Sequence, residues 1–523
     1  MHKSVRQSMA WLHSWLGLSF GWLLFAIFLT GAATYYRQEI SLWMQPQFAT
    51  IKVDQDSSLM AAYAYLQQHA PDAQNWYIGA ATPNLPVNKI YWQKADGGFE
   101  SKTLDATTGK ELSLSATQGG DFFYNFHFQL YGMPYLIGRT IVTIAALIMF
   151  ITLISGIITH KKILTDFFTL RAFKGQRSYL DFHNVSSVIA LPFFLTVTFT
   201  GLAIFFYIVL PSGMKKLYPE NPFQYFEEIR MVVAKTASAE PVKIEMRPIQ
   251  HFIGIAESQW GRSTFDNITV KQPNTQHAQI TITELKDNSI TRNQAQITLN
   301  ATTGQLLDST RNKSSIATLN AGMYGLHMAR FADPILRFCL FFSGILGCAM
   351  IGSGLLLWSL KRQMQKKIKL NKTTQFHLGH YLVNRLNIAV ILGLPIAMLG
   401  YLYANRLVHM PAGSPNYEIY TFFTLWLGSF ITACVIPQSY LWKTFLKILI
   451  AAAFLLPLID LYYLISQQYI SSFEDYWLFL RVDLMLWLLA SMAYFLHQKI
   501  SPIQQKAAQK INTKLKAAQQ DAL

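Results

Sequence analysis

Trp11–Gly31 reads WLHSWLGLSFGWLLFAIFLTG, and Asp181–Gly201 reads DFHNVSSVIALPFFLTVTFTG. Each opens with a histidine, runs apolar for about the ~30 Å of a bilayer core, and closes on Thr-Gly. His13 precedes Thr30-Gly31 at the distance that separates His183 from Thr200-Gly201. One histidine at a membrane boundary carries little information. The same histidine in the same register on two copies suggests a facing pair, and such pairs hold haem iron inside helical bundles.

Of 523 residues, 51% are hydrophobic and 14% charged, which is a membrane-protein composition. The formal charge is +16. Its Lys and Arg fall between apolar runs, so they report topology rather than nucleic-acid binding. The cysteines, Cys339, Cys348 and Cys434, form no CxxC and no CxxCH. Covalent c-type haem attachment is thereby excluded, and a disulfide framework is not expected. No signal-peptide cleavage site follows the first apolar run, so it is expected to remain as a span.

The hydropathy pattern predicts an α-helical membrane protein with about eight transmembrane helices. Spans are expected within 1–36, 126–160, 184–211 and 326–360, with four more in 384–498. Polar segments 37–125 and 212–325 separate the first four. Basic residues cluster in 161–183, in 361–383 and in the tail 499–523, and they also precede the first span. By the positive-inside rule these share one face, which puts both termini in the cytoplasm and both polar segments outside.

The polar segments repeat as well: Lys102–Lys110 is KTLDATTGK and Ile297–Gln305 is ITLNATTGQ. A β-branched stretch running into Asp/Asn-Ala-Thr-Thr-Gly predicts a strand ending in a tight turn, with glycine at positive φ. Two small α+β domains are therefore expected. Arg139 precedes Ser155-Gly156 as Arg337 precedes Ser353-Gly354, and His127 and His327 lie shortly upstream. The unit helix–outer domain–helix occurs twice in parallel, so the spans should build a four-helix bundle.

The candidate haem ligands are His13 and His183 at the inner face, and His127 and His327 at the outer. His160 breaks the repeat, standing where Trp358 stands in the other copy, and is the reserve inner ligand. His377 and His380, three apart in a loop, would share a helix face. Arg139 and Arg337 are costly in lipid, so they should face protein, water or an anion; haem propionates are one such anion, and outer headgroups another.

These motifs resemble the PepSY-associated transmembrane helix family of bacterial inner-membrane proteins. The resemblance rests on WLHSWLGLSFGWLLFAIFLTG, the two TTG segments, HFQLYG and YGLHMARF, and DFHNV…TG, over about residues 1–362. Phe376–Arg406 resembles the C-terminal extension of longer members. The family includes iron-regulated reductases that carry b-type haem and reduce ferric siderophores in the periplasm. The resemblance implies PepSY-like outer domains, haem b, two copies of it, and transmembrane electron transfer that releases ferrous iron. The chain shows no GxGxxG and no flavin or nicotinamide domain, so the electron donor is expected to be quinol or a partner reductase. Two other readings compete: a siderophore or iron transporter, and a non-enzymatic PepSY module regulating a periplasmic partner.

Overall fold

The computed structural model describes residues 4–48, 51, 53–82, 85–94, 96–112, 117–160, 171, 176–220, 224–225, 229, 242–261, 264–285, 290–291, 294–308, 315–329, 331–369, 378–408 and 416–520. The chain divides into two units. The first comprises Met1–Met44, Ala116–Leu202 and Pro334–Leu523; the second comprises Gln45–Ser115 and Ala203–Asp333.

The first unit is helical. Among the described residues, seven helices are long and apolar enough to cross a membrane, or eight if one bent pair counts as a span. α1 (Val5–Thr34) begins at a capping box, with the Ser4 hydroxyl accepting from the Gln7 N–H and the Gln7 side chain accepting from the Ser4 N–H. α2 (Arg37–Trp43) and α4 (Asp121–Gln129) are short, and α5 (Tyr135–Thr159) is the second span.

The third span departs from the expected single helix. α6 (Gln176–Ile189) and α7 (Leu191–Ile204) meet at a 66° bend. Pro192 explains it, because it has no N–H for the carbonyl four residues back and its ring clashes there. α10 (Pro334–Lys369) completes the repeat. α1 packs against both α5 and α10, and α6 packs against α10.

The last four spans are Leu378–Leu407, Tyr417–Val435, Gln438–Ser466 and Phe473–Ile500. The first is built from α11 (Leu378–Ile391) and α12 (Gly393–Leu407), and the others lie in α13 (Asn416–Val435), α14 (Gln438–Ser466) and α15 (Phe473–Gln520). One expected loop is corrected. The basic loop after the fourth span begins as a continuation of α10 to Lys369, and the C-terminal tail is helical to Gln520. Most of the basic segment 161–175, with Lys161 and Lys162, lies outside the described residues, as does His377.

The second unit corrects the expectation of two separate outer domains. Both polar segments enter one seven-stranded antiparallel sheet of order β3-β2-β1-β4-β5-β6-β7. The first segment gives β1 (Asn75–Gly79), β2 (Val87–Gln93) and β3 (Phe99–Asp105). The second gives β4 (Phe265–Lys271), β5 (Gln279–Glu284), β6 (Gln296–Asn300) and β7 (Leu306–Asp308). The copies join where β1 pairs with β4, from Asn75 opposite Lys271 to Gly79 opposite Asn267.

Each copy alone would leave β1 or β4 as an open edge, and pairing them removes both edges. It also merges two thin apolar faces into one core. Trp76, Ile78, Ile90, Ile268, Val270, Ile280 and Ile297 bury under Leu59 and Leu66 of α3 (Gln55–His69) and Phe252 of α8 (Ile249–Trp260). Both TTG turns form. Gly109 and Gly304 have φ of +67° and +80°. Asp105 Oδ1 accepts from the N–H groups of Thr107 and Thr108, as Asn300 Oδ1 does from Thr302 and Thr303.

Candidate functional site

The capped start of α1 fixes the register of His13. In the second copy, Arg171 grips Asp181 with two side-chain N–H groups at 2.8 and 3.0 Å, and so fixes the start of Asp-Phe-His. The two histidines then repeat one geometry. His13 Nδ1 lies 2.9 Å from the Thr152 carbonyl of α5, and His183 Nδ1 lies 2.8 Å from the Met350 carbonyl of α10. Four residues beyond each carbonyl is a glycine against the same ring. A Cβ on Gly156 would stand 3.2 Å from His13 Cε1, and one on Gly354 would stand 3.1 Å from His183 Cε1. The repeated Ser-Gly pair therefore lets an imidazole lie close against a helix.

A carbonyl only accepts, so in each ring Nδ1 carries the hydrogen and Nε2 keeps its lone pair. Fixing the tautomer through a second hydrogen bond is how a protein prepares a ligating histidine. The rings of His13 and His183 have centroids 6.2 Å apart and planes at 73°. Two imidazoles on opposite sides of one metal, with bonds of about 2 Å and a ring radius of roughly 1 Å each, would stand about 6 Å apart. The donor chemistry and the separation both fit one iron between two histidines. Among the described residues no group of three or more His, Cys, Asp or Glu converges as a metal site.

His127 is not on the second span, as expected, but on the separate helix α4. It uses the same device against α1. Its Nδ1 is 2.8 Å from the Ile27 carbonyl, and four residues on a Cβ at Gly31 would come within 2.7 Å of the ring. The Thr-Gly that closes the first span is thus a seat for a second histidine. Desolvation by the surrounding protein holds the His127 pKa below the ordinary histidine value, against a smaller opposing effect of the Ile27 carbonyl. Burial therefore favours the neutral form of the His127 imidazole. His327 lies on α9 (Ser315–Met328) in the second unit, again off the span.

His160 caps the C-terminal end of α5, its backbone N–H donating to the carbonyls of Gly156 and Ile157. It stands within electrostatic reach of His183. His380 lies in the first turn of α11. Arg139 donates to the Tyr135 hydroxyl and sits 3.6 Å from that ring's centroid and 5.0 Å from that of Phe128. Arg337 pairs at 2.6 Å with Glu39 of α2, which is only 2% exposed, and covers the Tyr36 ring at 4.9 Å. The two arginines share a sequence register and have different partners.

The structure also gathers charges that sequence reasoning did not assemble. Arg406, Glu418, Asp460 and Asp483 are all buried in the C-terminal spans. Acidic residues inside LLPLIDLYYL and FLRVDLML were the available signal.

The family model described as the PepSY-associated TM region matches residues 10–361, and the chain belongs to this family. No curated protein matches the chain.

Proposed function

We propose that this member of the PepSY-associated transmembrane family is a di-haem b-type reductase of the bacterial inner membrane that reduces ferric siderophores in the periplasm and releases ferrous iron. The observation that carries the reading is the His13–His183 pair, with centroids 6.2 Å apart and each Nδ1 committed to a carbonyl. Haem b, when bound, supplies a one-electron ferric/ferrous couple.

His13 and His183 would hold the inner group, with His160 as the neighbouring reserve. His127 would be a ligand of the outer one. Thr152 and Met350 keep the inner rings in the tautomer that leaves Nε2 available, and Ile27 does so for His127. Buried Phe25, Phe194 and Met149 keep water from the bundle interior. Arg139 and Arg337 would offer positive charge to propionates, Arg337 while held by Glu39.

Siderophores bind ferric iron far more tightly than ferrous iron, so one-electron reduction frees it. The donor lies on the cytoplasmic side or is quinol, and the acceptor is outside, so the path crosses about 30 Å of hydrocarbon. Histidine sites at two depths divide that distance. No nucleophile or acid–base pair is required for such chemistry, and the protein's part is to position, insulate and tune.

A pyridine haemochrome assay on the detergent-purified full chain, expressed with ample haem, tests the reading. About two haems per chain are expected, and fewer than about one would overturn it.

A further inference from the structure

The buried charges of the C-terminal helices do not balance. Arg406, at the end of α12, pairs with Asp460 Oδ1 on α14, and the two side chains are 1% and 0% exposed. Its guanidinium also donates to the Trp43 carbonyl of α2 and lies 3.7 Å from the centre of that indole. The second carboxyl group is Asp483 on α15, fully buried and within hydrogen-bond reach of Asp460. Asp483 Oδ1 accepts from the Trp43 indole N–H at 3.1 Å, and Oδ2 accepts from the Tyr476 hydroxyl at 3.2 Å. Asp460 Oδ2 is buried with no hydrogen-bond donor among the described residues.

Two carboxyl groups thus face each other beside one guanidinium, out of contact with water. Ionised together they would leave an uncompensated buried charge and set acceptor against acceptor. Each is costly, of the kind that keeps paired acidic dyads from ionising together. The other neighbours do not supply the missing charge. Tyr463 offers only its ring to Arg406, at 5.3 Å. Asn405 takes one Arg406 N–H at 2.6 Å and passes a hydrogen bond to Glu418, which is a further acid. Arg481 is two residues from Asp483, about 200° around the helix, and so on its other side.

We propose that Asp460 and Asp483 form a proton-binding site that holds one proton at neutral pH, with Asp460 ionised against Arg406 and Asp483 neutral. A proton on Asp483 gives the orphaned Asp460 Oδ2 its donor and leaves the site without net charge. The ligand is H⁺. The inference stands on the helix packing and does not depend on haem.

Infrared spectroscopy of the full-length protein in detergent, in H2O and in D2O, tests it. At neutral pH the wild type should show a deuterium-sensitive carbonyl band of an un-ionised carboxyl. Asp483→Asn should remove that band and keep the thermal midpoint close to wild type, since an amide N–H can still donate to Asp460. Glu418→Gln should leave the band in place. If Asp483→Asn does not fold, Asp483→Glu should shift the band's position. No such band in the wild type, its persistence in Asp483→Asn, or an unshifted band in Asp483→Glu would overturn the proposal.

Discussion

His13 and His183 come from different copies of the repeat, yet each sets its Nδ1 against the carbonyl four residues before a glycine of the neighbouring helix. Their Nε2 edges are therefore oriented by backbone, which substitution of side chains on α5 or α10 cannot easily remove. Expected: His13→Ala and His183→Ala each lose roughly half the haem absorbance, as removal of one axial ligand implies. Full haem content in both variants would shift attention to His160 with His377 or His380.

The glycines give a subtler test. Cβ atoms at Gly156 and Gly354 would sit 3.2 and 3.1 Å from the imidazoles. Alanine there should displace the ring slightly, whereas Gly156→Val or Gly354→Val should push it off its carbonyl. Outer-shell losses of this kind typically cost about 10–100-fold in affinity. Haem retained by each valine variant through gel filtration is the measurement, with helical content by circular dichroism as the control.

His127 gives a pH dependence with a definite sign. Its pKa is lower folded than unfolded. The unfolded chain therefore takes up this proton first as pH falls, and stability declines from about pH 6.5 downward until the folded pKa is passed. Between about pH 7.5 and pH 5.5, on either side of the unperturbed histidine value, the haem-free wild type should lose thermal stability, and His127→Phe should flatten part of that slope. An identical slope in the variant would show that the ring is not held neutral by the fold.

At the β1–β4 seam, Ile78 and Ile268 stand opposite each other, both fully buried. Ile78→Ala or Ile268→Ala should cost about 2–5 kcal/mol, the usual range for such a truncation. Because the sheet is continuous, either change should raise protease sensitivity in both polar segments. Damage confined to one segment would argue for two independent folding units.

Arg337→Ala strands Glu39 in a buried site and should destabilise by roughly 3 kcal/mol, less whatever solvent screening the partly exposed arginine enjoys. Adding Glu39→Gln should recover most of the loss. The orientation expected from the basic segments is checked separately, with reporters fused after Asp54 and after Lys516. They should report opposite sides of the membrane.

Much of this architecture was legible in the sequence, because periodic hydropathy and a repeated register are local signals. The spans, the TTG turns with Gly109 and Gly304 at positive φ, and the shared layout around His13 and His183 could all be read there. The single sheet could not, since strand alternation looks the same whether an edge is open or paired with another copy. That His127 leaves the second span for α4 was also hidden, because YNFHFQLYG shares the apolar character of the span that begins at Tyr135. Arg406, Asp460 and Asp483 lie far apart along the chain and only helix packing brings them together. Each alone reads as an isolated charge in or beside an apolar run.

The seven residues of α2 have a consequence for where this protein can be cut. Arg37 pairs with Asp121 on α4, Glu39 with Arg337 on α10, and Trp43 with both Asp483 and Arg406 from the last helices. Short as it is, α2 works as a clasp between the repeat and the C-terminal helices. The family's shared region stops at residue 361, but the covalent boundary is not a physical one. A chain shortened there would open one end of the clasp and leave the Trp43 indole, fully buried in the intact protein, facing lipid or water.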